Sequence, residues 1–330
     1  MGEPQLEPEV AQALEDLAQL PARGGPLRVG SRLVPVSRLD KKLWPEDGIT
    51  KRELIEYELR ISAFLLPHLR DRAVVIQAFP DGIGGKSFWR RVAPDTAPRW
   101  IPRWKAHPGA PTVCPLVQEA AALVWFANQG AIEIHPWHSR RDRPTRPDWA
   151  VFDLDPGSEG GWEEAITVAR MIKAELDRVG LRAWLKTTGQ SGLHIYVPLR
   201  RRVEEDQVRV WVGQLASQVA RALPDLVSEE WKVGERRGRL RVDYTQNVVG
   251  KTLAAVYSPR PAPGAPVSAP IEWDELDRVD PRLFTIRTVL ERVRLHGDLF
   301  LPVLRGGQSL PRLPSNSRRD PARGEQARRK

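Results

Sequence analysis

The sequence predicts an α+β protein built on a strand–helix–strand–strand–helix–strand unit over residues 150–245, with a smaller α/β module before it. Three observations predict it. Val151, Phe152, Asp153, Leu154 and Asp155 alternate apolar with acidic residues and close on Pro156-Gly157, a strand ending in a turn. Apolar residues then recur at helical spacing, first Ile166, Ala169, Ile172, Leu176 and Val179, later Val208, Trp211, Leu215 and Val219. Short β-prone runs lie between and after them, at 181–187, at 193–199, and where Leu240, Val242 and Tyr244 alternate. A chain of 330 residues with 41% hydrophobic content can bury a sizeable core.

Leu6, Val10, Leu14, Leu17 and Leu20 mark a first helix, and the break at residues 21–26 makes residues 1–32 an appended helix and linker. The α/β module covers residues 33–149. In it Thr50 is placed to cap a helix, with Glu53 at the capping-box position and Leu54, Tyr57, Ile61 and Leu65 as its stripe, ending near Pro67. Lys51 lies in the first turn of this helix, where free N–H groups and the dipole would favour an anion. A strand at 73–78 and the turn Pro80-Asp81-Gly82 lead to Phe88 and Trp89, set among Lys86, Arg90 and Arg91. Such a pair packs in a core or stacks on bases while the cations meet phosphates. A helix at 117–127, a strand at 131–137 and an arginine-rich loop at 140–146 complete the module. The core runs over 150–304. Residues 305–330, rich in Arg, Pro, Gly and Ser, are expected to be a disordered basic tail.

The element order of the core is that of a ferredoxin-like unit, also used by RNA-recognition domains. Its first strand lies between the third and fourth, and both helices cover one face. Alternation then sends Phe152, Leu154, Leu193, Ile195, Val197, Leu240, Val242 and Tyr244 to the helices. Asp153, Asp155, His194, Arg241 and Asp243 fall on the other face, expected to be open. Carboxylates gathered this way call for a cation, and oxygen ligands suit Mn2+ or Mg2+. The plainer alternative makes Asp155 a helix cap and Asp153 a solvated residue. The lone cysteine, Cys114, excludes an intramolecular disulfide or a cysteine-based zinc site and fits a reducing compartment. Fifty-one Lys and Arg against 42 Asp and Glu point to a polyanionic partner. No signal-peptide pattern or bilayer-length apolar run is present, so the expected location is cytoplasmic, with no membrane partner.

The ordered segments VFDLDPG, KTTGQSGLHIYVPL, RVDYTQN, GKTLAAVYSPR, VSAPIEWDEL and FTIRTV resemble the polymerase domain of bacterial DNA ligase D, in the archaeo-eukaryotic primase superfamily, from about residue 33 to 304. The resemblance implies a primase-like polymerase that fills or extends DNA ends in non-homologous end joining. It also implies a nucleoid-associated enzyme that prefers ribonucleotides, works through two divalent ions, and acts with Ku and a separate ligase. By position, Asp153, Asp155 and Asp243 would be catalytic metal ligands. Thr188, His194, Arg260, His135 and Gln246 would bind the nucleoside triphosphate. Lys41 and Lys51 would hold a 5′-phosphate at a DNA end, and Phe88 and Trp89 would stack on template bases. The chain departs from the family pattern at Ser191, where lysine is common, at Gln77 and Ala78, where basic residues are common, and at Arg38, which replaces a polar residue. No ligase nucleotidyl-lysine motif or phosphoesterase region is evident, so the polymerase alone is expected. Two rivals remain: a haloacid-dehalogenase-type phosphatase using Asp153 as nucleophile, and a non-catalytic nucleic-acid-binding module with an aromatic sheet face.

Overall fold

The computed structural model describes residues 6–107, 112–156, 161–230 and 232–312. Helix α1 (Pro8–Gln19) leads into the hairpin β1 (Gly24–Val29) and β2 (Arg32–Ser37). Short strands β3 (Lys42–Trp44) and β4 (Ile49–Thr50) pair before the long helix α2 (Lys51–Leu69). Strands β5 (Val74–Ala78) and β6 (Phe88–Arg90) follow, then the pair β7 (Arg103–Trp104) and β8 (Cys114–Pro115). Helix α3 (Ala120–Asn128) precedes β9 (Ala131–Pro136), which joins β5 and β6 in a sheet of order β6-β5-β9.

The predicted core unit is present: β10 (Trp149–Asp155), α4 (Trp162–Arg178), β11 (Trp184–Thr187), β12 (Leu193–Pro198), α5 (Glu205–Ala222) and β13 (Arg241–Asp243). One further strand, β14 (Pro270–Ile271), pairs with β11, so the antiparallel sheet reads β13-β10-β12-β11-β14. The chain then forms α6 (Val289–His296) and α7 (Leu301–Arg305). The first core strand lies between the third and fourth, as the order demanded. Phe152, Leu154, Leu193, Ile195 and Val242 are buried on the helix side, where Phe152 meets Trp211 of α5 edge-on at 6.3 Å. This α+β architecture agrees with the fold read from the sequence.

Several expectations change. The first helix is no appendage, because Val10, Ala13 and Leu17 are buried in the shared core and the Arg52 guanidinium of α2 donates to the carbonyls of Leu17 and Leu20. Helix α2 runs through Pro67 to Leu69: a proline this close to the end breaks few bonds, and the Arg70 N–H still reaches the Leu66 carbonyl. Tyr244 leaves the last strand for a short 3-10 turn, packing on Gly213 of α5. The expected tail begins as ordered chain. Gln308 pairs with Leu199 and bonds Arg182, and the Trp211 indole donates to the Pro311 carbonyl. The rest of that tail, from 313, and Gly157 of the turn lie outside the described residues.

The module and the core are joined by buried polar contacts. The Tyr57 hydroxyl donates to the Tyr257 carbonyl at 2.7 Å, and Asp298 accepts from Tyr257 at 2.8 Å and faces His68 at 2.9 Å. These ties bring β9 and the segment 252–268 over the acidic face of the core sheet: the Ala255 N–H reaches the Ile134 carbonyl, and the Ser258 hydroxyl accepts from the Ile134 N–H.

Candidate active site

Antiparallel register puts the acidic groups side by side. Asp153 faces His194 across β10 and β12, and faces Asp243 across β10 and β13. Residues directly opposite in such a ladder have Cβ atoms roughly 5 Å apart, where like charges repel. The face is not open as expected, because β9 and the 252–268 segment roof it; the Asp153 side chain keeps 15% of its surface and His194 4%. What remains is a cleft of about 170 Å³ lined by Asp153, Asp155, Thr188, His194, His135 and Arg260 among others.

Burial, reinforced by the Asp243 charge, pushes the Asp153 carboxyl up to about 7. Its Oδ1 lies 3.2 Å from His194 Nε2. Burial and the cations Lys186 and Arg260 hold the His194 imidazole well below its usual range, hence neutral. Asp243 accepts from the Thr245 N–H and hydroxyl, from Arg241 at 3.3 Å and from the Gln246 amide at 2.9 Å, so Gln246 acts here on a carboxylate. Asp155, half exposed, turns to the guanidinium of Arg236 at 2.8 Å. Among the described residues no three His, Cys, Asp or Glu side chains are gathered closely enough to hold a metal ion as they stand.

Residues 188–192 form a tight loop. The Thr188 hydroxyl accepts from the N–H groups of Gln190 and Gly192, both at 3.1 Å. Gly189 has φ +74, and a Cβ on Gly192 would come within 2.2 Å of the Leu154 carbonyl, so the loop lies against β10 only because both are glycine. Arg260 clamps it, donating to the Thr188 carbonyl at 2.5 Å, to Gln190 at 3.1 Å and to Glu133 at 2.5 Å. The other oxygen of Glu133 faces His135 Nε2 at 2.9 Å. Burial would raise Glu133, but His135 and Arg260 outweigh it and hold it below the usual carboxylate range. Trp89, half exposed beside equally exposed Phe88, meets the His135 ring edge-on at 5.0 Å, linking the aromatic pair to the cleft.

The two lysines are arranged differently from a pair of solvated side chains. Lys51 is buried, donating to the carbonyls of Ser37 and Asn128, both at 2.9 Å, and burial with the charges of Arg38 and Lys41 lowers it to about 8. Lys41 bonds Asp81 at 2.7 Å. The capping box forms as read, but the Lys51 and Arg52 N–H groups donate to the carbonyls of Lys41 and Leu39. The first turn therefore offers an anion fewer donors than its sequence promised.

Motif reading passed over Glu133, Lys186 and Arg236. Glu133 could have been found two residues before His135 on one strand face, and Lys186 by closing the hairpin around 188–192, which sets it opposite His194. Arg236 lies in an irregular segment with no periodic signal.

Opposed carboxylates on an antiparallel sheet, beside a tight loop and an arginine clamp, are an arrangement compatible with nucleotidyl transfer, and the family to which the chain belongs is one of polymerases. The chain belongs to the family described as "LigD, primase-polymerase domain", whose pattern matches residues 50–300. It is 32% identical over 275 residues to the multifunctional non-homologous end joining protein LigD of Mycolicibacterium smegmatis, covering 82% of this chain and 36% of that protein. It is 34% identical over 283 residues to the LigD of Pseudomonas aeruginosa, covering 84% and 33%. The chain thus spans about a third of the length of these relatives. The polymerase domain of Mycobacterium tuberculosis ligase D, solved in complex with DNA, superposes with a TM-score of 0.76 at 30% identity, over 83% of this chain and 99% of that one. This membership sets aside the phosphatase and the non-catalytic module. Among the described residues no helix is long and apolar enough to cross a membrane.

Proposed function

We propose that the chain fills or extends broken DNA ends by template-dependent nucleotidyl transfer during non-homologous end joining, with ribonucleotides preferred. The observation that carries this reading is Asp153, opposed to Asp243 across the β10–β13 ladder, in a cleft that Asp155, His194 and the cationic Arg260 also line. Burial and the like charge of Asp243 push the Asp153 carboxyl up to about 7 although Lys186, Arg260 and Arg241 draw it down, so a divalent ion at the pair would relieve a charge the site disfavours. Asp153, Asp243 and Asp155, the last released from Arg236, would hold Mn2+ or Mg2+. Such ions, when bound, would supply activation of the attacking hydroxyl and neutralisation of triphosphate charge.

The chain's own groups do the rest. Arg260 supplies a fixed charge and holds the 188–192 loop against the cleft, so Thr188 and His194 meet the triphosphate in one geometry. His135, oriented by Glu133 and flanked by Trp89, borders the nucleotide. The Gln246 amide donates to Asp243 and would orient that carboxylate as a ligand. Phe88 and Trp89 offer ring faces to template bases. Arg38, Lys41 and Lys51 form a cationic cluster for the 5′-phosphate of a DNA end; burial first, and then the charges of Arg38 and Lys41, lower Lys51, and a bound anion would offset the repulsion among the three. The partners on this reading are DNA ends, nucleoside triphosphates, Ku and a separate ligase, at the bacterial nucleoid.

The test is incubation of the protein with a recessed duplex, one labelled nucleotide at a time and Mn2+ or Mg2+, followed by product sizing. The reading predicts growth by the nucleotide complementary to the template and none in chelator. Unextended primer under every metal and nucleotide condition refutes it.

A further inference from the structure

We propose that Glu133 is a positioning residue whose single carboxylate joins two walls of the cleft, holding the Arg260 clamp and its 188–192 loop in register with His135 and the aromatic pair beside it. Glu133 and His135 are two residues apart on β9, so strand alternation puts both side chains on one face, while Ile132 and Ile134 are buried on the other. Only 2% of the Glu133 side chain is exposed.

The backbone brings the partners within reach. Ala255 and Ser258 bond the main chain of Ile134, between Glu133 and His135, and Arg260 follows two residues later. Its Nε then donates to Glu133 Oε1 at 2.5 Å, and Oε2 lies 2.9 Å from His135 Nε2. A carboxylate buried this deeply is costly unless its oxygens are engaged, and here each oxygen meets a different part of the chain. Three acceptors set the plane of the Arg260 guanidinium. Glu133 takes the Nε hydrogen, the Thr188 carbonyl one from Nη1 at 2.5 Å, and the Gln190 side chain one from Nη2 at 3.1 Å. A guanidinium carries five hydrogens in a rigid fork, so one on each Nη is left for an anion, in a direction those three bonds fix.

Of those acceptors, Thr188 and Gln190 belong to the loop and move with it. Glu133 alone belongs to β9, so it is the tie between the clamped loop and the strand that carries His135, against whose ring Trp89 packs at 5.0 Å. One buried carboxylate therefore sets the spacing between the anion-binding wall and the aromatic wall, and a ligand with a phosphate end and a ring end would feel its loss at both. That this ligand is a nucleoside triphosphate rests on the function proposed above; the junction does not.

The experiment pairs primer-extension kinetics with NMR of the 15N-labelled protein. Glu133→Gln keeps the shape and removes the charge, whereas Glu133→Asp keeps the charge but withdraws it by one methylene, too far to reach both partners. Each should raise the nucleotide KM about tenfold or more, the loss expected of one charge-assisted bond, with kcat within about threefold. A merely structural role would instead lower the folded fraction, and with it the rate at saturating nucleotide, leaving KM unchanged. In the wild type the Arg260 Nε–H signal, assigned with Arg260→Lys, should exchange slowly with solvent, both with and without a non-hydrolysable nucleoside triphosphate. In Glu133→Gln that exchange should quicken about tenfold or more and the His135 ring signals should shift. A wild-type Arg260 Nε–H that exchanges as fast as an exposed arginine overturns the proposal, even if neither variant folds. So do folded Glu133→Gln and Glu133→Asp proteins with unchanged KM. A protein that shows the protected Nε–H, loses it in Glu133→Gln and yet adds no nucleotide refutes the polymerase reading and leaves the junction standing.

Discussion

Replacing Asp153 by Asn removes a buried charge that the fold disfavours and should stabilise the metal-free protein. In the folded state its carboxyl stands at about 7 against an ordinary 3.8, through burial first and the Asp243 charge second. The folded chain therefore binds the proton more tightly than the unfolded one. Stability from this group is complete below about pH 3.8 and is lost as pH rises through 7. At about 1.4 kcal/mol for each tenfold change in equilibrium, the wild type carries about 4 kcal/mol of strain at pH 8 that Asp153→Asn does not. For a chain of this size that is on the order of 10 °C in melting temperature. Melting both proteins at pH 4.5, 6 and 8 should give curves that nearly coincide in acid and separate with rising pH. Mg2+ or Mn2+ at pH 8 should recover wild-type stability by mass action and leave the variant unmoved. A variant no more stable than wild type at pH 8, or an equal metal response in both, refutes the reasoning.

Other perturbations should divide structure from recognition. Lys51→Met removes two buried hydrogen bonds and should cost about 2–4 kcal/mol in denaturant unfolding, whereas Lys41→Ala, whose ammonium meets only an exposed carboxylate, should change stability little. Lys41→Ala should nevertheless reduce the preference for gapped DNA bearing a downstream 5′-phosphate, measured at fixed salt; an undiminished preference counts against that assignment. Trp89→Ala should weaken binding of a template overhang by about 1–3 kcal/mol, with a smaller effect on blunt duplex. Parallel single-nucleotide additions should run faster with ribonucleotides, and faster deoxyribonucleotide addition would contradict the proposed sugar preference.

How far the sequence could be read depended on whether the signal was periodic. Strand alternation has a period of two, so once β10 was placed between β12 and β13, Asp153, His194 and Asp243 had to share a face. The Thr50 cap was equally readable, because its bonds span three residues. Partners from distant, aperiodic chain were not. Lys51 is held by carbonyls at Ser37 and Asn128, far from the helix pattern that suggested a surface lysine. The roof that turns an open face into a cleft comes from 252–268, a segment of turns and isolated bridges with neither helical nor strand rhythm. Asp155 was read correctly as to face but not as to direction, since Arg236 reaches it from outside the regular sheet.

The central claim is that the opposed carboxylates carry metal-dependent nucleotidyl transfer, and the most direct measurement is primer extension by Asp243→Ala and Asp153→Ala beside DNA binding by the same preparations. On the proposed reading the excess of Lys and Arg would supply most of the affinity for DNA, so binding should stay within about threefold of wild type. Extension should fall by about a thousandfold or more in each variant, as expected when a metal ligand at the reacting atoms is removed. Extension close to wild type in either variant, with binding intact, would contradict the account.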